Sequence, residues 1–189
     1  MNKVYVSNEQ DKHPVTPALR GLIRRAIASA LKYEKFPYDA ELSVTVTDNG
    51  CGMAPDFLKD VTNPFRTSRT TRKVGLGISM FKSAAELTGG SFDITSVQGE
   101  GTSLTAVFVH DSIDRQPLGD MALTISAIIN SNPEIEYVYK HVFNDNEFVF
   151  DTREIKKVLG EEISLSEFEV LRWIEQYIEN ETENLYGGA

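Results

Sequence analysis

Glu41-Leu42-Ser43-Val44-Thr45-Val46-Thr47-Asp48-Asn49-Gly50-Cys51-Gly52-Met53 is the stretch on which the fold turns. Leu42, Val44 and Val46 alternate with Ser43, Thr45 and Thr47, the period-two pattern of a half-buried strand. That strand delivers Asp48 to its end, with glycines close behind at 50 and 52. A lone carboxylate there can accept a hydrogen bond from an adenine amino group, and glycines let the backbone come close to a flat base. Downstream lie Lys73-Val74-Gly75-Leu76-Gly77 and then Gly99-Glu100-Gly101-Thr102. A Gly-x-Gly opening a helix presents free N–H groups and the positive dipole end to phosphates. Each piece suits a different part of one nucleotide, and their order carries the reading.

Working outward, Lys3 to Ser7 reads as a short strand. Thr16-Pro17 offers an N-cap and a first-turn proline, and apolar residues from Leu19 to Leu31 follow at helical spacing. Ala54 to Val61 predicts a short helix, Leu76 to Leu87 a second, ended by Gly89-Gly90. Ser91–Ser96 and Ser103–His110 read as strands. Beyond Asp111, Met121 to Ile129 marks a helix, and a hairpin is expected about Asn144-Asp145-Asn146. Two helices follow, Thr152 to Leu159 and Ser166 to Ile178, with a polar, frayed end from Glu179. The expected arrangement is a nucleotide-binding domain over 1–110 and an acidic helix-hairpin-helix unit over 111–189. That unit is expected to dock against the edge of the Ser103–His110 strand and bury Trp173.

Composition is that of a soluble globular chain, 41% hydrophobic and 25% charged, with a net charge of −9. Residues 1–110 hold 13 Lys/Arg against 11 Asp/Glu, whereas 111–189 hold 6 against 17. This speaks against nucleic acid as a partner, and the acidic half could attract a basic protein. No apolar run is long enough to span a membrane and no signal peptide is visible, so a cytoplasmic protein is expected. The single Cys51 reads as a small packing residue rather than a nucleophile.

At the glycine motifs the chain resembles the GHKL superfamily of ATPases (gyrase, Hsp90, histidine kinases, MutL). Asp48-Asn49-Gly50-Cys51-Gly52 resembles its adenine box, Asn63-Pro64-Phe65 through Arg72 the entry to its ATP lid, and Gly75-Leu76-Gly77 and Gly99-Glu100-Gly101-Thr102 its further glycine boxes. Over about 48–160 the chain is similar to small bacterial ATP-binding proteins encoded near hydrogenase subunits, in phrases such as Thr70-Thr71-Arg72-Lys73-Val74-Gly75 and Phe150-Asp151-Thr152-Arg153-Glu154-Ile155. The resemblance implies an α+β fold, a Bergerat sandwich with helices on one face of a mixed, mostly antiparallel sheet. It also implies ATP or ADP as ligand, held by Asp48, Gly50, Gly52, Met53, Arg72, Lys73, Gly75, Leu76, Gly77 and Thr102, with Thr102 closing the adenine end.

The front of the chain departs from that pattern. The family's helix before the adenine box carries an acid that activates water and, four residues on, an asparagine that holds magnesium. Here those positions fall on Gly21 and Arg25. A glycine cannot take a proton and an arginine cannot bind a metal. Nucleotide binding with hydrolysis lost is therefore expected, no catalytic residue is assigned, and magnesium is in question. A regulatory module without nucleotide, and a working ATPase or kinase using another base, stay open as alternatives. Residues 1–48 resemble the start of the YbeY endoribonuclease family, in Pro17-Ala18-Leu19-Arg20 and Asp39-Ala40-Glu41-Leu42-Ser43. Its His-x-x-x-His-x-x-x-x-x-His metal site has no counterpart among His13, His110 and His141. The expectation is a chimera without ribonuclease activity.

Overall fold

The computed structural model describes the backbone of residues 2–7 and, with side chains, residues 41–62, 77–160 and 162–187. The predicted first helix about 16–33 and the arginine-rich loop 66–73 lie outside the described residues. The described elements run β1 (Asn2–Ser7), β2 (Glu41–Asp48), α1 (Pro55–Asp60), α2 (Gly77–Leu87), β3 (Ser91–Val97) and β4 (Gly101–Val109). Then come α3 (Met121–Ser131), β5 (Val138–Phe143), β6 (Asn146–Asp151), α4 (Thr152–Leu159) and α5 (Phe168–Gly187).

The six strands form one sheet in the order β3-β4-β2-β1-β5-β6. Only β1 and β2 pair in parallel, and the other four pairings are antiparallel. This is the expected α+β architecture with a mixed, mostly antiparallel sheet. Period-two burial sorts its faces. Leu42, Val44 and Val46 of β2, Leu104, Ala106 and Phe108 of β4, and Tyr139, His141 and Phe143 of β5 are buried on the helix-covered face. On that face Phe81 of α2 meets the rings of Phe92 and Phe108, and Tyr177 of α5 meets Phe148 and Phe150. Ile125, Ile128 and Ile129 of α3 join the same core. The other face is lined in its middle by hydroxyls, where Thr45 meets Thr105 and Thr47 meets Ser103, each pair at 3.0 Å.

Local chemistry sets the element ends. The Asp120 carboxylate accepts from the Leu123 N–H at 2.8 Å to cap α3, and Asp151 accepts from the Arg153 N–H at 2.8 Å to cap α4. The hairpin turns on Asn144-Asp145, with Asn144 at φ +52°, a conformation that asparagine tolerates better than most residues.

Three expectations are corrected. The C-terminal hairpin does not dock on the Ser103–His110 strand, because β4 lies inside the sheet between β3 and β2. It joins through β1 instead, and β5 pairs antiparallel with it. The last helix does not fray at Glu179: it runs to Gly187 because Leu185 and Tyr186 continue the apolar stripe of Ile174 and Ile178. Trp173 is not buried but 47% exposed, its ring stacked on Tyr177 at 5.1 Å and 5°.

Candidate nucleotide site

The sheet brings Asp48, Gly50, Gly52, Met53 and Thr102 together at one end. Asp48 closes β2 with its side chain on the helix side, 8% exposed, directly opposite Thr102 on β4. The Gly50 N–H donates to its Oδ1 at 2.8 Å. The other carboxylate oxygen has no hydrogen bond among the described residues. Burial raises the Asp48 pKa, and the Gly50 N–H bond opposes that only in part. The site therefore holds a desolvated acceptor with one oxygen committed to the Gly50 N–H and one without a partner among the described residues.

Two glycines are dictated by the close approach of the turns that frame this carboxylate. Gly52 sits at φ +59°, and a Cβ there would lie 1.9 Å from the Val97 carbonyl oxygen. Gly101 sits at φ +135°, where a Cβ would lie 2.0 Å from the Asp48 carbonyl oxygen. The Gly99 N–H adds a bond to the Cys51 carbonyl at 2.8 Å. The segment after β2 and the β3–β4 turn thus touch backbone to backbone. Cys51, expected to pack, instead points to solvent, because the flanking contacts are made by main chain.

One residue of this clamp was not expected from the sequence. The Ser96 hydroxyl on β3 accepts from the Met53 N–H at 2.8 Å, donates to the Gly101 carbonyl at 2.9 Å and lies 3.0 Å from the Thr102 hydroxyl. A single oxygen so ties the adenine-box segment to the third glycine box. The available signal was a polar residue in register with the inward Phe92 and Ile94. Asn49, next to Asp48, keeps its side-chain carbonyl buried without a partner among the described residues.

α2 is described from Gly77, within the helix expected over Leu76 to Leu87. At the other end of that helix the Thr88 hydroxyl accepts from the Val109 N–H, at the end of β4 remote from Thr102. The positive end of the α2 dipole therefore points toward the Asp48 end of the sheet, with no acidic residue in its first turn. Arg72, Lys73, Gly75 and Leu76 lie outside the described residues. Among the described residues no three His, Cys, Asp or Glu side chains gather as a metal site. A small, mostly apolar cavity lined by Leu42, Val44, Phe81, Ala84, Phe108, Gln116, Pro117 and Leu118 lies toward the end of β2 remote from Asp48.

A one-sided sheet with a buried carboxylate at a strand end, pinched between glycine turns and facing a helix N-terminus, defines a class of adenine-nucleotide modules. The model of the histidine kinase-, DNA gyrase B- and HSP90-like ATPases matches residues 16–112, half of the chain. The protein belongs to this family, whose domain binds ATP. It is 38% identical over 76 residues to an uncharacterized sensor-like histidine kinase of Rhizobium meliloti, covering 38% of this chain and 14% of that protein. It is 29% identical over 101 residues to the histidine protein kinase DivJ of Caulobacter vibrioides, covering 47% and 17%. With the sensor histidine kinase ZraS of Salmonella typhimurium it shares 36% identity over 62 residues, covering 33% and 13%. The chain thus spans less than a fifth of the length of these relatives. Among the described residues no helix is long and apolar enough to cross a membrane.

Proposed function

We propose that this protein binds ATP or ADP at the Asp48 end of the sheet and hydrolyses it poorly. The observation that carries the binding is the buried Asp48 carboxylate, one oxygen of which has no partner among the described residues, held between clamped glycine turns. In this reading that oxygen accepts from the adenine amino group, and Gly50, Gly52 and Met53 line the base. The Thr102 hydroxyl closes the adenine end. Arg72, Lys73, Gly75, Leu76 and Gly77 serve the phosphates, supported by their position leading into the N-terminus of α2. Poor hydrolysis rests on Gly21 and Arg25, which supply neither a general base nor a magnesium ligand. We place the protein in the cytoplasm and take residues 1–48 as a YbeY-like graft. The likeness of the remainder to proteins encoded near hydrogenase subunits belongs to the same reading. The acidic unit over 111–189, with 17 Asp/Glu against 6 Lys/Arg, offers a surface to a basic protein.

A thermal-shift titration with ADP and ATP, with and without magnesium, tests the binding, and phosphate release tests the turnover. The expected result is stabilisation by either nucleotide with little need for magnesium, and release near the buffer rate. The absence of any shift at saturating nucleotide would leave the regulatory module without ligand. A second reading, a working kinase, is favoured by the relatives, which are named histidine kinases. It requires magnesium-dependent release or transfer of the γ-phosphate, the opposite outcome in the same assay.

A further inference from the structure

We propose that the hydroxyl of Tyr137, a residue of the C-terminal half, is a contact for the nucleoside part of the bound nucleotide. The inference rests on the nucleotide reading of the Asp48 site. Tyr137 stands just before β5, its N–H donating to the Thr152 hydroxyl at 2.8 Å and its carbonyl accepting from the Thr152 N–H at 3.0 Å. These bonds continue the β5–β6 ladder by one residue. The side chain is 3% exposed, yet its hydroxyl has no hydrogen-bond partner among the described residues. Buried polar groups are nearly always paired, and an orphan is expected where something outside the chain completes it.

Register places this orphan beside the site. Ser7, the last residue of β1, pairs with Thr47 on one side and Val138 on the other. Asp48 is one residue beyond Thr47 and Tyr137 one residue before Val138, so both step past the same end of β1. Both face the helix side, Asp48 in phase with Val44 and Val46, Tyr137 in phase with Tyr139 and His141. Two strand spacings separate them, about 10 Å, a span that a base and its sugar can bridge. Counted across the sheet, Ser96, Thr102 and Asp48 on one side of β1 and Tyr137 and Thr152 on the other lie at one level of the helix-covered face.

The chemistry fits a donor. Burial pushes the phenol above its ordinary pKa, so it keeps its proton throughout the physiological range. Asp48 supplies an acceptor for the adenine amino group, whereas the ring nitrogens and the sugar oxygens need donors. Tyr137 provides one from the opposite side of β1. The C-terminal half would then complete the site rather than merely extend the sheet.

Tyr137→Phe removes the hydroxyl and leaves the ring. ADP and ATP affinities are measured by calorimetric titration of the full chain, beside the melting temperature without ligand. The expected result is a loss of about 3- to 10-fold in affinity, equal for ADP and ATP, the worth of one hydrogen bond. The ligand-free melting temperature should stay level or rise, because no bond within the protein is lost. Unchanged affinity in Tyr137→Phe, with wild type binding normally, overturns the inference alone. A lower ligand-free melting temperature overturns it as well, by showing that the hydroxyl is already paired. An effect confined to ATP moves the contact to the γ-phosphate and rejects the nucleoside assignment. Failure of wild type to bind either nucleotide overturns both this inference and the reading beneath it.

Discussion

At the scale of single residues, the site sets ligand binding against folding. Asp48 is buried and its pKa raised, chiefly by desolvation. A folded-state pKa above the unfolded one means the stabilising contribution is present below the ordinary carboxylate pKa and lost as pH rises through the raised value. At neutral pH the ligand-free protein therefore carries a charge that the fold would hold more easily as its neutral form. Asp48→Asn removes that charge and keeps an oxygen to accept from the Gly50 N–H. We expect its urea midpoint without ligand to exceed wild type at pH 7, with the gap closing toward pH 4. Nucleotide stabilisation should nearly vanish, because the amide can turn a donor toward the adenine amino group. Wild type with ligand at 100 times its dissociation constant should gain about 2.7 kcal/mol, and the variant only a small fraction of that. A variant that keeps the full nucleotide shift would remove Asp48 from the adenine site.

At the scale of elements, the sequence was legible where the signal was local. Strand β2, helices α1 to α4 and the hairpin at Asn144-Asp145 all followed from periodicity, caps and turn residues. The motif glycines were also legible, but not the reason for two of them, since only the structure shows Gly52 and Gly101 against the main chain of Val97 and Asp48. What was not legible depended on partners distant in sequence. Nothing local to Lys3–Ser7 says that β1 lies between β2 and β5. After Glu179 only Leu185 and Tyr186 carry the apolar stripe of α5 onward, and nothing local to them says that Tyr186 reaches His141. There the Tyr186 hydroxyl lies 2.9 Å from Nε2 and the Tyr139 hydroxyl 2.8 Å from Nδ1. Burial lowers the His141 pKa from 6.5 to about 4. Because the folded value is depressed, the stability it gives is complete above pH 6.5 and is lost as pH falls toward about 4. The loss is expected to reach at most about 3 kcal/mol. Urea midpoints of wild type and His141→Gln across pH 4–7 check this, and the variant should show the flatter profile. Equal slopes would mean that His141 titrates normally.

At the scale of the whole molecule, the sheet settles how the two halves behave together. β1 pairs with β2 along Asn2–Ser7 and with β5 along Lys3–Ser7, so one strand is shared by the nucleotide end and the C-terminal hairpin. Buried residues of both halves, from Val46 and Phe81 to Ile129, Phe150 and Ile178, belong to one hydrophobic cluster. Removing the C-terminal half would expose the far side of β1, which β5 covers. A sheet and core so shared should melt as one cooperative unit despite the charge division at residue 110. Trp173, the sole tryptophan, reports on α5 from its half-exposed stack on Tyr177. Urea unfolding followed by Trp173 fluorescence should therefore coincide with unfolding followed by circular dichroism. Saturating nucleotide should move both curves to higher urea together, although Trp173 lies outside the site. An early Trp173 transition that ignores nucleotide would make the acidic half an independent domain, and would also deprive Tyr137 of the rigid strand from which it reaches the site.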